Sequence, residues 1–173
     1  MSGFKAQLTP VPKHLLGEDV KLASHDKCYA SYGIDLVGND LGGVRTDSVK
    51  CCSICANNPE CFSYTFTPHD GGTCWFKNGR IGTITINPRA ISALISPEPT
   101  DITISECDMP GNDIGDTPAP FPAGCYYACY TNPDCRVYSW SDYQGGTCWL
   151  KSQPSNCVYA PGKSTVIMMR YRE

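Results

Sequence analysis

Residues 51–77 read CCSICANNPECFSYTFTPHDGGTCWFK, and residues 125–151 read CYYACYTNPDCRVYSWSDYQGGTCWLK. Laid against each other without gaps at an offset of 74, the two runs are identical at 12 of 27 positions. Their shared frame is C-x3-C-x2-N-P-x-C-x2-Y-x6-G-G-T-C-W-x-K. Self-similarity at a fixed period marks an internal duplication. Upstream, Gly38-Asn39-Asp40 matches Gly111-Asn112-Asp113 at an offset of 73, so one extra residue precedes the second frame.

The 12 cysteines of this 173-residue chain divide six and six between the repeats. They are Cys28, Cys51, Cys52, Cys55, Cys61 and Cys74, then Cys107, Cys125, Cys129, Cys135, Cys148 and Cys157. Modules of roughly 70 residues bury too little apolar surface to be stable without staples. Such a cysteine load therefore reads as a disulfide scaffold in an oxidising compartment, and the expected location is secreted. Met1 to Leu8 lacks the apolar run of a signal peptide, which reads as a mature chain or fragment from which a leader has been removed. No stretch approaches the ~20 apolar residues of a membrane-spanning helix, so no membrane insertion is expected. The net charge of −3 is spread along the chain, with no basic patch of the kind nucleic acid requires.

Local signals give each repeat one helix and a small antiparallel sheet. In the first, Thr46-Asp47-Ser48 offers N-cap oxygens and Asn57-Asn58-Pro59 a stop. In the second, Pro122 suits a first helical turn and Asn132-Pro133 repeats the stop. Strands are expected at 62–67 and 137–140, in each Thr-Cys-Trp-x-Lys run after a Gly-Gly turn, and at 81–86, 90–95 and 165–169. The fold class is α+β. The boundaries are an N-terminal extension at 1–24, a first module at 25–96, a linker at 97–104 and a second module at 105–173.

Six cysteines allow 15 pairings. Helix geometry narrows them, because Cys51 and Cys55 stand at i and i+4 on one face. Chain order then favours Cys55–Cys61 and Cys51–Cys74, with Cys129–Cys135 and Cys125–Cys148 in the second repeat. Cys52 points about 100° away from Cys51 and is left for Cys28. Tyr126 replaces Cys52 in the second repeat, so Cys107 must reach Cys157. The alternative is Cys28–Cys51 with Cys52–Cys74, which requires the first helix to be rotated by about 100°.

A helix with Cys-x3-Cys, then Asn-Pro-x-Cys, an aromatic strand and Cys-Trp-x-Lys resembles the PAN/Apple domain. The run Gly145-Gly146-Thr147-Cys148-Trp149-Leu150-Lys151-Ser152 is similar to repeats in the cellulose-binding lectin-type proteins of oomycetes. The tandem Apple lectins of apicomplexan parasites are a more distant likeness. The resemblance covers about 28–96 and 105–171. It implies two small disulfide-rich modules, each a short helix packed on an antiparallel sheet, that recognise carbohydrate or protein outside the cell.

Strand parity then points to candidate residues. If Cys74 and Cys148 turn toward the helix, then Trp75 with Lys77, and Trp149 with Lys151, project from the opposite face. An indole covers the apolar face of a pyranose, and an ammonium donates to its hydroxyls. Tyr64, Tyr138, Trp140, Asp142 and Tyr143 stand nearby in sequence and are the further candidates. The competing reading covers both tryptophans with later strands and gives each lysine a salt bridge or solvent. Asp40 and Asp113 invite a calcium or sugar reading, but Gly-Asn-Asp more often forms a turn. His14, His25 and His69 show no metal-ligand spacing, and neither metal nor cofactor is expected.

No Gly-x-Ser-x-Gly, His-Glu-x-x-His or phosphate-cradling glycine loop is present, so no enzyme is expected. The expected function is non-catalytic carbohydrate binding, with a glycan or cell-wall polysaccharide as partner. A protein–protein adhesion or self-assembling module is the alternative, and a targeting domain from a larger enzyme a third. Non-reducing peptide mapping should find six intrachain disulfides, none joining residues 28–74 to residues 107–157. One bond across that divide defeats the two-module reading.

Overall fold

The computed structural model describes residues 4–11, 27–96 and 100–172. Residues 12–24 of the expected extension, with His14, then His25, and residues 97–99 of the expected linker lie outside the described residues. From the N-terminus, β1 is Ala6–Pro10. The first repeat supplies β2 (Lys27–Val37), β3 (Asp40–Arg45), α1 (Ser48–Ala56), β4 (Ser63–Thr67), β5 (Thr73–Lys77) and β6 (Thr83–Ser96). The second supplies β7 (Thr100–Asp108), β8 (Asp113–Pro118), α2 (Gly124–Tyr130), β9 (Val137–Ser141), β10 (Thr147–Lys151) and β11 (Val158–Ile167), followed by β12 (Arg170–Arg172).

The chain divides into two compact units, residues 10–100 with 169–173, and residues 1–9 with 101–168. Each unit has one six-stranded sheet, ordered β12-β2-β6-β4-β5-β3 in the first and β1-β7-β11-β9-β10-β8 in the second. The units follow the repeats except at the chain ends, which are exchanged. β1, expected in a separate extension, lies on β7, where the Thr9 hydroxyl is 3.0 Å from that of Thr103. β12, expected in the second module, pairs antiparallel with β2 through Arg170↔Ala30. Residues 100–104, expected as linker, begin β7. The physical reason is that an edge strand bares a row of unpaired N–H and C=O groups. Neither duplicated frame contains a strand to cover β2 or β7, so the chain ends do.

Helices of nine and seven residues are too short to persist alone. Sulfur holds them. The bonds are Cys51–Cys74 and Cys125–Cys148 from helix to hairpin strand, and Cys55–Cys61 and Cys129–Cys135 across the helix stop. Cys28–Cys52 ties β2 to α1, whereas Cys107–Cys157 ties β7 to the segment before β11. In the chain-entropy model, closing loops of 24 and 50 residues contributes about 3.5 and about 4 kcal/mol. Around α1 the core consists of Cys28, Cys51, Cys55, Cys61 and Cys74 with Ala30, Tyr64, Phe76 and Ala93, all buried, and Cys52 partly buried against them.

The expected N-cap differs: Asp47 occupies the position but makes no side-chain cap bond. Pro122 falls in a turn just before α2. The Asn-Pro stop works through the side chain. Asn58 Oδ1 accepts from the Glu60 N–H at 3.0 Å, and Asn132 Oδ1 from that of Asp134 at 3.0 Å.

Gly33 (φ 85°) marks the place where the β2–β6 register jumps from Tyr32↔Ile91 to Ile34↔Ile86. Beyond this bulge β2 covers the sheet face away from α1, and a hydroxyl relay fastens it. Ser92 Oγ donates to the Ile34 C=O at 2.9 Å, which commits its single proton. Thr65, 2.7 Å from Ser92, must therefore donate to it while accepting the Leu36 N–H at 3.2 Å. The second unit repeats the device, with Ser139 and Thr165 hydroxyls 2.6 Å apart and Thr165 donating to the Cys107 C=O at 2.8 Å. Thr65→Val keeps the shape but strands a buried N–H, and should cost about 1–3 kcal/mol in chemical denaturation of the oxidised protein. An unchanged midpoint rules the relay out as a structural element.

Candidate functional site

Each residue of the repeated Gly-Gly-Thr-Cys-Trp-x-Lys run has a physical task. Gly72 (φ 128°) lies against the backbone ahead of α1, where an added Cβ would stand 2.9 Å from the Thr46 carbonyl oxygen. The Thr46 N–H in turn donates to the Gly72 C=O at 3.0 Å, and Ala119 bonds Gly146 likewise at 2.9 Å. Next, the Thr73 and Thr147 hydroxyls latch the turn by donating to the His69 C=O at 2.9 Å and the Tyr143 C=O at 2.8 Å. The cysteine bonds the helix. Alternation then puts the tryptophan on the opposite face.

There the two indoles occupy equivalent, half-buried places. Trp75 Nε1 donates to the Thr67 hydroxyl at 3.0 Å, and Trp149 Nε1 to that of Ser141 at 3.1 Å. A second ring from the preceding 3-10 turn leans on each. His69 lies 5.8 Å from Trp75 and Tyr143 6.0 Å from Trp149, both tilted by 45°. Trp75 faces Gly43 across the β3–β5 pair, and a Cβ at Gly43 would meet the indole at 2.9 Å. Each repeat thus presents one fixed indole with an exposed aromatic ring beside it.

Other expected members of this surface lie elsewhere. Lys77 and Lys151 are only 3% exposed and do not reach outward. A buried ammonium costs several kcal/mol unless paired, and each finds the Gly-Asn-Asp carboxylate. Lys77 Nζ is 2.7 Å from Asp40, and Lys151 Nζ 2.6 Å from Asp113. Asn39 and Asn112 turn the chain in the left-handed region (φ 57° and 59°), and their carbonyls accept the Asn78 and Ser152 N–H groups at 2.9 Å. Gly-Asn-Asp is therefore a turn that seats the lysine.

Tyr64 and Tyr138 pair across the sheet with Phe76 and Leu150, on the helix side, and are buried. Trp140 lies opposite Cys148 and so shares that side, its Nε1 donating to the Ala119 C=O at 2.8 Å. These three are packing residues, because the period of two places them opposite Trp75 and Trp149. Asp142 is exposed at the start of the turn that carries Tyr143. Of the expected candidates, Trp149 and Tyr143 come together in the second unit, with Asp142 at the start of the same turn. Around Trp75 sequence reasoning missed His69, which leans on the ring, and the Arg45–Asp70 pair, whose Arg45 lies two residues from Gly43 on the same face. The frame offset of 74, which equates His69 with Tyr143, was the signal for the first of these.

Among the described residues no three His, Cys, Asp or Glu side chains gather as a metal site, and no helix is long and apolar enough to cross a membrane.

A family model described as PAN domain matches residues 34–77 and 107–151, just over half of the chain. No curated protein matches it. Among solved structures, it is similar to the two N-terminal apple domains of Toxoplasma gondii microneme protein 4. The identity is 15%, the match covers 82% of this chain and 86% of that one, and the TM-score is 0.29.

In the second unit, Asp108 pairs with Lys163 at 2.7 Å. Partial burial pushes its carboxyl upward, but the hydrogen bond and charge of Lys163, with the charge of Lys151, outweigh this and hold it below its ordinary value. A lowered folded-state value adds stability that is present above the unfolded carboxylate pKa, about 3.9, and lost as pH falls through the folded one. Asp108→Asn should therefore be less stable than the parent at pH 7 by up to about 1 kcal/mol, with the gap closing below about pH 4. Paired urea melts at pH 7 and pH 3 check this, and an equal gap at both refutes it.

Proposed function

The chain belongs to the PAN domain family, whose modules bind proteins or carbohydrates, and we propose that it is an extracellular, non-catalytic carbohydrate-binding protein. The observation that carries this reading is the repeated indole of Trp75 and Trp149. Each is half-buried on the sheet face away from the helix, held by a hydrogen bond from its own Nε1 and flanked by an exposed ring. A sugar ring lays its C–H groups on such a surface, while neighbouring polar groups meet its hydroxyls. Holding the indole in advance lowers the ordering cost of binding. Two platforms on one chain raise the apparent affinity of individually weak sites for a polymer.

Six disulfides support an oxidising, extracellular setting for this work. The likeness of residues 145–152 to oomycete repeats makes cellulose the first polysaccharide to try.

A second reading has its own observation. The stretch from Ala119 to Tyr130 carries no charged residue, and it exposes Phe121 (73%), Tyr127 (61%) and Tyr130 (44%) around α2. Exposed aromatic clusters of this kind anchor protein partners, including a second copy of the same chain. The first repeat has no equivalent, since Lys50 and Asp47 stand there.

Paired variants separate the two. Trp75→Ala with Trp149→Ala should remove retention on insoluble cellulose, chitin or an arrayed glycan. Phe121→Ser with Tyr127→Ser should leave retention intact. Near-ultraviolet circular dichroism establishes that both variants are folded. If the second pair abolishes binding or self-association instead, the adhesion reading replaces the first.

A further inference from the structure

Resting on the carbohydrate reading of the indole platforms, we infer that the two platforms take ligands of different charge. The first repeat's platform takes a saccharide bearing a carboxylate or sulfate, and the second repeat's excludes one.

The inference comes from the register of equivalent strands. β3 lies on β5 with Gly43↔Trp75 and Arg45↔Thr73, and β8 lies on β10 with Asp116↔Trp149 and Pro118↔Thr147. The backbones correspond position by position, so the substitutions can be read directly. Beside the indole, Gly43 is replaced by Asp116. Two residues along the same face, roughly 7 Å away, Arg45 is replaced by Pro118. In the turn, Asp70 is replaced by Gln144.

Arg45 thus shares a sheet face with Trp75, and its guanidinium is well exposed. It reaches Asp70 at 2.8 Å, a surface pair of the kind that contributes little and exchanges readily. A guanidinium presents a planar fork that a carboxylate or sulfate meets with two hydrogen bonds. An acidic sugar lying on the Trp75 indole can therefore capture Arg45 from Asp70. The absence of a side chain at Gly43 lets the indole lie directly on the β3 backbone, which fixes the ring on the face it shares with Arg45. At the second platform the corresponding positions offer no cation. Asp116 is exposed there, with no side-chain partner among the described residues, and it repels an anion. Lys151, the nearest motif cation, is buried on Asp113.

The probes are a uronate oligosaccharide with its methyl ester, and a sulfated oligosaccharide with its desulfated form. In the 173-residue chain carrying Trp149→Ala, which keeps the first platform, at least one acidic member should bind about tenfold more tightly than its neutral counterpart. The arm that shows the preference identifies the acid. Arg45→Gln on that background should abolish the preference. The Trp75→Ala chain should show none. Indole N–H signals in the unmutated protein give a readout that needs no variant: the acidic ligand should shift the Trp75 signal and leave the Trp149 signal in place. Equal binding of acidic and neutral forms to Trp149→Ala, or a preference that survives Arg45→Gln, overturns the inference and leaves the carbohydrate reading standing. Failure of every saccharide to bind the parent chain overturns both.

Discussion

The bond from helix to hairpin strand, Cys51–Cys74 in one repeat and Cys125–Cys148 in the other, is the constraint on which the remaining geometry rests. It joins a helix too short to persist alone to the middle of a sheet, and it does so inside a core built largely from sulfur. It also sets the parity of the strand. Once Cys74 faces α1, Phe76 must face it too, while Thr73, Trp75 and Lys77 must face away. One covalent bond thus selects which aromatic residue is packing and which belongs to a surface.

The far face follows from that choice. A lysine forced onto a covered face needs a counter-charge, and the turn formed by Gly-Asn-Asp supplies one 37 residues earlier in the first repeat and 38 in the second. The pair is retained at a desolvation cost, which fits a role in register more than in net stability. With lysine, turn and threonine latch in place, the indole between them has little freedom. The rigidity of the indole thus comes from residues on either side of it in the sequence and from the turn that seats the lysine.

Duplication gave two copies of this arrangement, and the copies differ in the residues around the indole. The frame is held where backbone and disulfides require it and varies at positions that face solvent: Gly43 and Asp116, Arg45 and Pro118, His69 and Tyr143. The closing staples differ as well, because Cys52 became available in one helix and Cys157 in the other module. Exchange of the terminal strands adds a topological link: each sheet is completed by a segment from outside its own repeat. Deleting either chain end therefore bears on the unit that is more distant in sequence.

Sequence alone determined the features that local chemistry encodes. The duplicated frame, the i and i+4 cysteines, the Asn-Pro stop and the β-branched and aromatic hairpin strands each act within a few residues, so their spacing carries the information. β2 was not legible because most of its residues between Cys28 and Leu36 are buried whichever way they point, which erases alternation. The roles of Tyr64, Tyr138, Trp140, Lys77 and Lys151 were decided only by tertiary structure. Their partners and covering strands lie tens of residues away, and a period of two names two faces without saying which one the chain will cover. The same holds for Ala6–Pro10 and Arg170–Arg172: strand formation at a chain end depends on an open edge elsewhere, and only the assembled sheet has one.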